Sequence, residues 1–537
     1  MRKKILTMLA VMILSVSCSK DFLDTQSTSS VDQSQIFKNE STALMAINGI
    51  HRKMYLPGYA AQMGYGCFMF WNDILGEDMV YTKGNAQWQL QDRWELHRRT
   101  TSGNVKYIYQ FFYQIISNAN MVLENTEGMD GIQYKLDNIR GQALAYRGFA
   151  HFCAVRLYGD RYVSGKNNDQ MGVIIRTDTN GEAKARASVE EVYTQINKDL
   201  DDAISLLDNP KITQNTISDI DVNVARGIKA RVLLAQGRWE EAAAMAKLVI
   251  DNSGAELDNT QYDRKQGRCC DASNKEWLWG KVGQPDLETN SLHNFYSYFS
   301  NTNVSYNRNT PRAIYNLLYE KISNTDVRKQ LWLEDAPSMD PNNVVIPIGG
   351  NIFKWMSQKY IVDYPDCHSS QYSACTYTAD LVYMRVSEMY LIEAECYARF
   401  SNEESAKDAL YILAKYRDPN YVRSTKSGQD LIDEIMVQRR VELWGEGFRW
   451  TDLKRLNMDL DRGPKPRAGY NQGGSLNGWK SKQTPTNLDP QASNYNMYDD
   501  QKLGEENRFR SKNSMEWEFV IPISEINYNP LCKQNPL

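Results

Sequence analysis

Apolar residues recur at steps of three and four along most of the central chain, and that spacing restricts the fold more than any other feature. From Val105 to Leu123, the positions Val105, Ile108, Phe112, Ile115, Ala119 and Val122 fall on one side of a helix. From Ile139 to Leu157, the stripe Ile139, Ala143, Tyr146, Ala150, Cys153 and Leu157 repeats the pattern, and Tyr158-Gly159-Asp160 supplies a glycine stop. Ser188-Val189-Glu190-Glu191 has the form of a capping box, in which Ser188 accepts from the third amide of the helix and Glu191 reaches back to the cap. It opens a helix at about 188–207 whose buried face is Val189, Val192, Ile196, Leu200, Ala203 and Leu207.

The run from Ala225 to Ala246 is a helical hairpin turned by Gln236-Gly237-Arg238-Trp239. Gly237 suits a left-handed turn, small residues allow close helix approach, and Trp239 fills the corner. The unit resembles a tetratricopeptide repeat, in which about 34 residues form one helix pair of a right-handed stack. A further pair is expected at Tyr383–Arg399 and Glu403–Tyr416, and a last helix at about 429–444. Between about 255 and 380 the chain turns loop-like, with a short strand candidate at Val344–Ile348; long insertions of this kind are where binding tends to sit. Another irregular excursion is expected from Met458 to Asn513, followed by a strand at about 516–523. The fold class is therefore all-α: tetratricopeptide-type helix pairs in a superhelical scaffold, with long irregular loops and a few short strands.

The N-terminus adds an address. Arg2, Lys3 and Lys4 precede an apolar run from Ile5 to Val16, and the small Ser17 stands before Cys18. A dozen apolar residues rise only about 18 Å as a helix, too short for a hydrocarbon core of about 30 Å. The segment reads as an export signal, and Leu14-Ser15-Val16-Ser17-Cys18 resembles a bacterial lipobox in which Cys18 takes the lipid. The Ser/Thr/Gln-rich run to about Ser34 then serves as a flexible tether. The charge of −4 becomes −7 once residues 1–17 are removed, so no cationic field gathers a phosphate backbone and nucleic acid is not an expected partner.

Chemistry-bearing patterns are few. Arg439, Glu442, Glu446, Arg449 and Asp452 could be read as an acid/base cluster, but each carboxylate has an arginine three or four positions away. Such neighbours favour ionised, paired groups over a proton donor with a raised pKa, so the cluster reads as a structural ion network. There is no P-loop, no HExxH and no GxSxG, so no catalytic residues and no cofactor are assigned. Cys153 and Cys396 sit in helical patterns as core thiols, Cys367 and Cys375 could close a short loop, and with His368 the only histidine directly beside a cysteine, no metal site is expected. A ligand surface can be built from aromatic rings that stack on a flat apolar face and polar groups that hydrogen-bond its rim. The segment from Gly76 to Trp94 offers Asp78, Tyr81, Trp88, Arg93 and Trp94, and the segment from His293 to Tyr306 adds Tyr296 and Tyr298. Trp88 and Trp94 could equally pack beneath the loop, while Trp239, Trp444 and Trp450 read as structural.

Several of these pieces recur in one order in a known family. Cys18 followed by Phe22-Leu23-Asp24, AYRGFAHFCAVRLYGD ending at Asp160, ARGIKARVLLAQGRWEEAAAMA, MRVSEMYLIEAECYARF from Met384, VQRRVELWGEGFRWTDLKR from Val437 to Arg455, and the terminal IPISEINYNPLCKQNP together resemble the RagB/SusD-type outer-membrane lipoproteins. Gln438 stands where the family motif has Glu, and Leu537 replaces its usual Gly-Tyr finish. The resemblance implies a nutrient-binding protein without catalysis, which captures an oligosaccharide and delivers it as a hinged lid to a SusC-like TonB-dependent transporter. Peptide cargo is the alternative, and a glycan-cleaving enzyme a more distant one. The tetratricopeptide face would dock on the transporter and the opposite face would carry ligand, with the early loop region often used. Lys20-Asp21 fits the acidic export signals of lipoproteins that face outward. The implied organisation is a signal at 1–17, a lipid-anchored tether at 18–40 and one body at 41–537, with repeats at about 105–207, 224–250 and 383–416. The only membrane contact would be through the lipid.

Overall fold

The computed structural model describes residues 36–56, 62–81, 88–262, 268–284, 295–299, 312–332, 357–360, 379–462 and 509–537. Cys18 and the signal, the strand candidate Val344–Ile348, the pair Cys367 and Cys375, His368 and most of the 458–513 excursion lie outside these residues.

Helices dominate: α1 (Glu40–Lys53), α2 (Tyr65–Ile74), α3 (Gly103–Asn125), α4 (Gln133–Tyr158), α5 (Val189–Leu207), α6 (Val222–Gln236), α7 (Trp239–Asn252), α8 (Val386–Arg399), α9 (Glu403–Arg417), α10 (Gly428–Glu442), α11 (Arg449–Arg455) and α12 (Ile523–Tyr528). From α3 to α9 each helix packs on the next in the chain, and α8 packs additionally on α6 and α10. This is a tetratricopeptide-type stack, in which each antiparallel pair buries the apolar stripe of its neighbour.

Local chemistry sets the boundaries. The side chain of Ser102 accepts from the amide of Val105 to start α3, whose buried stripe contains all six positions read from the sequence. Ser188 and Glu191 form the reciprocal cap of α5, with Ser188 N–H donating to Glu191 at 2.8 Å and Glu191 N–H to Ser188 at 3.2 Å. Helix α4 is buried on nearly every side because α1, α3 and α5 all rest against it. Its glycines permit that approach: a Cβ at Gly141 would lie 2.6 Å from Leu207, and one at Gly148 would lie 3.2 Å from Leu200. Gly237 ends α6 at φ +71°, and a Cβ there would meet both Ser164 and Trp239.

Among the described residues three antiparallel two-stranded ribbons fasten the rest: β1 (Met79–Tyr81) with β3 (Arg312–Ile314), β2 (Trp277–Lys281) with β4 (Leu381–Arg385), and β5 (Leu460–Asp461) with β6 (Phe509–Arg510). Two expectations change here. The helix expected from Tyr383 begins at Val386, because Leu381–Arg385 pairs with β2 and feeds directly into α8. The strand expected at 516–523 has no strand partner among the described residues. After a 3₁₀ turn at Met515–Trp517 the chain runs extended, and Phe519 and Val520 donate their amides to the carbonyls of Leu157 (2.8 Å) and His97 (3.1 Å). Phe519, Val520 and Ile521 are all buried in succession, and the backbone bonds go to the end of α4 and to the turn at Leu96–Arg98 instead of a ladder. Trp517 and Phe519 close an aromatic seam with Trp71, Trp94 and Trp450, and Asn535 donates to the carbonyls of Tyr158 and Phe519 at 2.8 and 2.7 Å. Cys153 and Cys396 are buried free thiols.

Candidate functional site

The end of α2 leads into Gly76-Glu77-Asp78 and β1, and this turn is held by charge. Arg440 on α10 donates to the Asp78 carboxylate at 2.9 Å, Arg449 on α11 donates to Glu77 at 2.9 Å, and the indole of Trp444 donates to the Asp78 carbonyl at 2.8 Å. Gly447, at φ +84°, lies so close to α2 that its Cβ would sit 2.5 Å from Met69 Cα, and its amide donates to Asp73 at 2.8 Å.

Behind the turn lies a larger buried lattice. Glu442 accepts from Arg328 (2.9 Å), Arg417 (2.8 Å), Tyr262 (2.7 Å) and Arg385, while Glu446 accepts from Lys359 (2.6 Å) and Arg385 (2.8 Å). Glu276 completes it through Arg385 at 3.0 Å and Arg417 at 2.5 Å. Burial alone would push Glu442 up, but the guanidiniums of Arg417, Arg385 and Arg328 overcome it and hold the carboxyl well below the usual carboxylate range. Glu446 is likewise lowered, against the burial that raises it, by Arg385 and Lys359. Arg439 and Asp452 pair with each other at 2.7 Å, and Arg455 also binds Asp452 at 2.7 Å. The five residues singled out as one network thus divide: only Arg439 and Asp452 meet, while Glu442, Glu446 and Arg449 take partners from other elements. The acceptor atoms are filled by fixed cations, so the lattice can brace the fold but does not offer a proton.

In front of the lattice is an aromatic cluster. The ring of Trp88 lies 4.7 Å from that of Tyr298 and 5.4 Å from Phe70, and Phe70 contacts Phe299 at 5.8 Å. Trp88 is partly exposed and held at φ +76°, a region that L side chains seldom occupy. Its buried Nε1 has no hydrogen-bond partner among the described residues. The structure therefore joins two segments that the sequence offered separately, through Trp88 and Tyr298.

The other candidates are placed differently, and the expectation of exposed rings and carboxylates is corrected for four of them. Trp94 is 2% exposed, donates to the Leu75 carbonyl at 2.8 Å and packs 4.7 Å from Trp517, because the C-terminal segment covers it. Asp78 is buried by its arginine, Tyr296 is buried and donates to the Asp380 carbonyl, and Tyr298 is fully buried beneath Trp88. Arg93 is partly exposed and faces Glu95 at 3.9 Å. Tyr81 ends β1, and its side chain lies outside the described set. Arg328, Lys359, Arg385 and Arg417 lay outside the sequence candidates; Arg385 stands in the quoted MRVSEMY motif, but its acidic partners are 57 to 109 positions away. No group of three or more His, Cys, Asp or Glu among the described residues could hold a metal ion.

Comparison with known proteins decides the family. The model of the SusD family matches residues 241–537, and a second, described as starch-binding and associating with the outer membrane, matches residues 21–225. The chain belongs to the SusD family. Among SusD relatives, a SusD-like protein of Formosa agariphila is 23% identical over 483 residues, covering 83% of this chain and 89% of its own. The crystal structure of a SusD-like carbohydrate-binding protein from Bacteroides vulgatus superimposes with a TM-score of 0.73 at 23% identity, covering 92% of this chain and 97% of its own. The surface glycan-binding protein A of Bacteroides thetaiotaomicron, in complex with laminarihexaose, gives 0.66 at 16% identity, covering 93% and 99%. These likenesses establish the SusD fold here. No helix of the described residues is long and apolar enough to cross a membrane.

Proposed function

We propose that this SusD-family chain captures an oligosaccharide at the cell surface and delivers it to a SusC-like TonB-dependent outer-membrane transporter, binding without turnover. The observation that carries the reading is the family match over more than half of the chain, in a family whose structural relatives include a laminarihexaose complex. The partly exposed Trp88, braced from below by Tyr298 and Phe70, supports it as a stacking platform. Arg93 and Tyr81 stand on the same stretch of chain as further contacts. The absence of catalysis is supported by the pairing of Glu442 with three arginines and of Glu446 with Arg385 and Lys359.

In this reading, residues 1–17 are a signal, Cys18 carries lipid, residues 18–40 form the tether and residues 41–537 the binding body. The test is a panel of neutral and charged glycans and of peptides, titrated against the mature protein. Saturable binding of a glycan with no product, weakened in Trp88→Ala, is expected. Binding of peptides alone, or release of cleaved sugar, would overturn it. Palmitate labelling lost in Cys18→Ala and co-purification with a β-barrel transporter test the anchor and the partner.

A further inference from the structure

A groove of about 460 Å³ runs between α3, the 174–181 segment and α12, and it shares no lining residue with the Trp88 cluster. Its first wall is a row on the exposed side of α3. Lys106, Gln110, Gln114 and Ser117 step by four, four and three over about 16 Å of helix. None of these four side chains makes a hydrogen bond or ion pair with the described residues, so their donors and acceptors are available to a ligand.

The second wall is fixed in advance. The Tyr113 hydroxyl donates to the Ile174 carbonyl at 3.0 Å, and the Asn120 amide donates to the carbonyls of Arg176 (3.2 Å) and Asp178 (3.0 Å). Asn120 is itself oriented by Arg147 at 2.9 Å, and Arg147 is locked in a two-point pair with Asp199 at 2.9 and 2.6 Å. Glu124 accepts from the amide and hydroxyl of Thr179 at 2.7 and 2.6 Å. A wall ordered before binding costs little to order during it.

The lip is α12. Its first amide donates to Thr100 at 2.9 Å, and Asn529 just beyond it donates to the Lys184 carbonyl at 2.9 Å, which holds the short helix over the groove. From it Tyr528 projects with 88% of its surface exposed, more than any other large apolar side chain among the described residues. An aromatic ring left in water beside a row of unengaged amides has the chemistry of a sugar platform. Lys106 and Arg176 are balanced by Asp178 and Glu525, so the groove does not select a charged ligand. It offers no strand edge and no deep apolar pocket for a peptide.

We propose that this groove is a second glycan subsite, which takes a neutral oligosaccharide with one ring on Tyr528 and its hydroxyls on Gln110 and Gln114. The inference rests on the glycan-binding reading above. The test is calorimetric titration of the detergent-solubilised mature protein with laminarihexaose, maltohexaose, cellohexaose and mannohexaose. Wild type, Tyr528→Ala, Gln110→Ala/Gln114→Ala and Trp88→Ala are compared, with circular dichroism as the check on folding. Expected is a glycan whose binding weakens about two- to tenfold, or loses one site in the stoichiometry, in both groove variants. If Trp88→Ala loses binding while both groove variants match wild type, the subsite is overturned and the glycan reading stands. If wild type binds none of the four sugars, both fall. Groove variants that keep full glycan affinity but lose co-purification with the transporter would make this face a docking surface and likewise overturn the subsite.

Discussion

Glu442 is where charge most directly becomes structure. It touches three guanidiniums and a tyrosine hydroxyl in a place from which water is excluded, so removing its charge strands cations that nothing else can neutralise. Glu442→Gln is expected to destabilise the fold by about 3–5 kcal/mol in a denaturant titration. An acid catalyst would instead lose turnover with stability nearly unchanged, so the same variant separates a brace from a catalytic group. Glu395 gives a pH-dependent counterpart. Burial pushes its carboxyl up, but Arg455 and then Arg399 and Arg439 pull it down from 4.5 to about 2. A depressed carboxylate contributes stability above its unfolded value and loses it as pH falls from 4.5 toward 2, here on the order of 3 kcal/mol. Glu395→Gln is expected to flatten that part of the melting-temperature profile, and an unchanged slope would refute the pairing. The sequence showed that these acids sit among arginines. It did not show which arginine meets which acid, because partners such as Arg328 and Glu442 are separated by 114 positions.

Element boundaries rest on short-range chemistry, which is why most helix positions were readable. Ser188 and Glu191 are three residues apart, and the cap they form needs nothing distant. Ser188→Ala should cost about 1 kcal/mol in thermal unfolding. Gly237→Ala should cost more, roughly 1–2 kcal/mol, because it adds left-handed strain and its new Cβ would stand 3.0 Å from Ser164. Gly428 is the control: it also has positive φ, but no atom lies within 4 Å of its would-be Cβ, so Gly428→Ala should be the milder change. Where an element depends on a remote partner, the local pattern misleads. Tyr383 falls in step with the helical stripe of α8 but lies in Leu381–Arg385, which pairs with Trp277–Lys281, and the apolar residues around Phe519 satisfy their amides on Leu157 and His97 without joining a sheet.

Across the whole molecule, the buried imidazoles set the response to acid. Burial lowers His51 to about 4 and His97 and His151 to about 3, from an ordinary value of 6.5. As pH falls below 6.5 the unfolded chain takes up protons that the folded chain refuses, so stability should decline from 6.5 downward to those values. Asp73 opposes this, since burial raises its carboxyl well above the usual range and favours the protonated form in the fold. Burial also raises Asp199, Asp221 and Glu393, so three imidazoles work against four carboxyls, and melting temperature is expected to drop between pH 6.5 and 4 because the imidazoles begin to refuse protons at the upper end of that range. A flat profile would contradict the buried neutral imidazoles. The sequence by itself determined the helical class, the capped and glycine-turned pairs and the family, because periodicity, caps and motifs are encoded within a few turns of chain. Only the tertiary structure decided which aromatic rings are left to water. Trp94 and Tyr298 have the composition of ligand contacts, yet one is sealed by Trp517 and the other lies under Trp88, whereas Tyr528 is bare. Exposure is a property of what the rest of the chain covers, and that covering comes from residues hundreds of positions away.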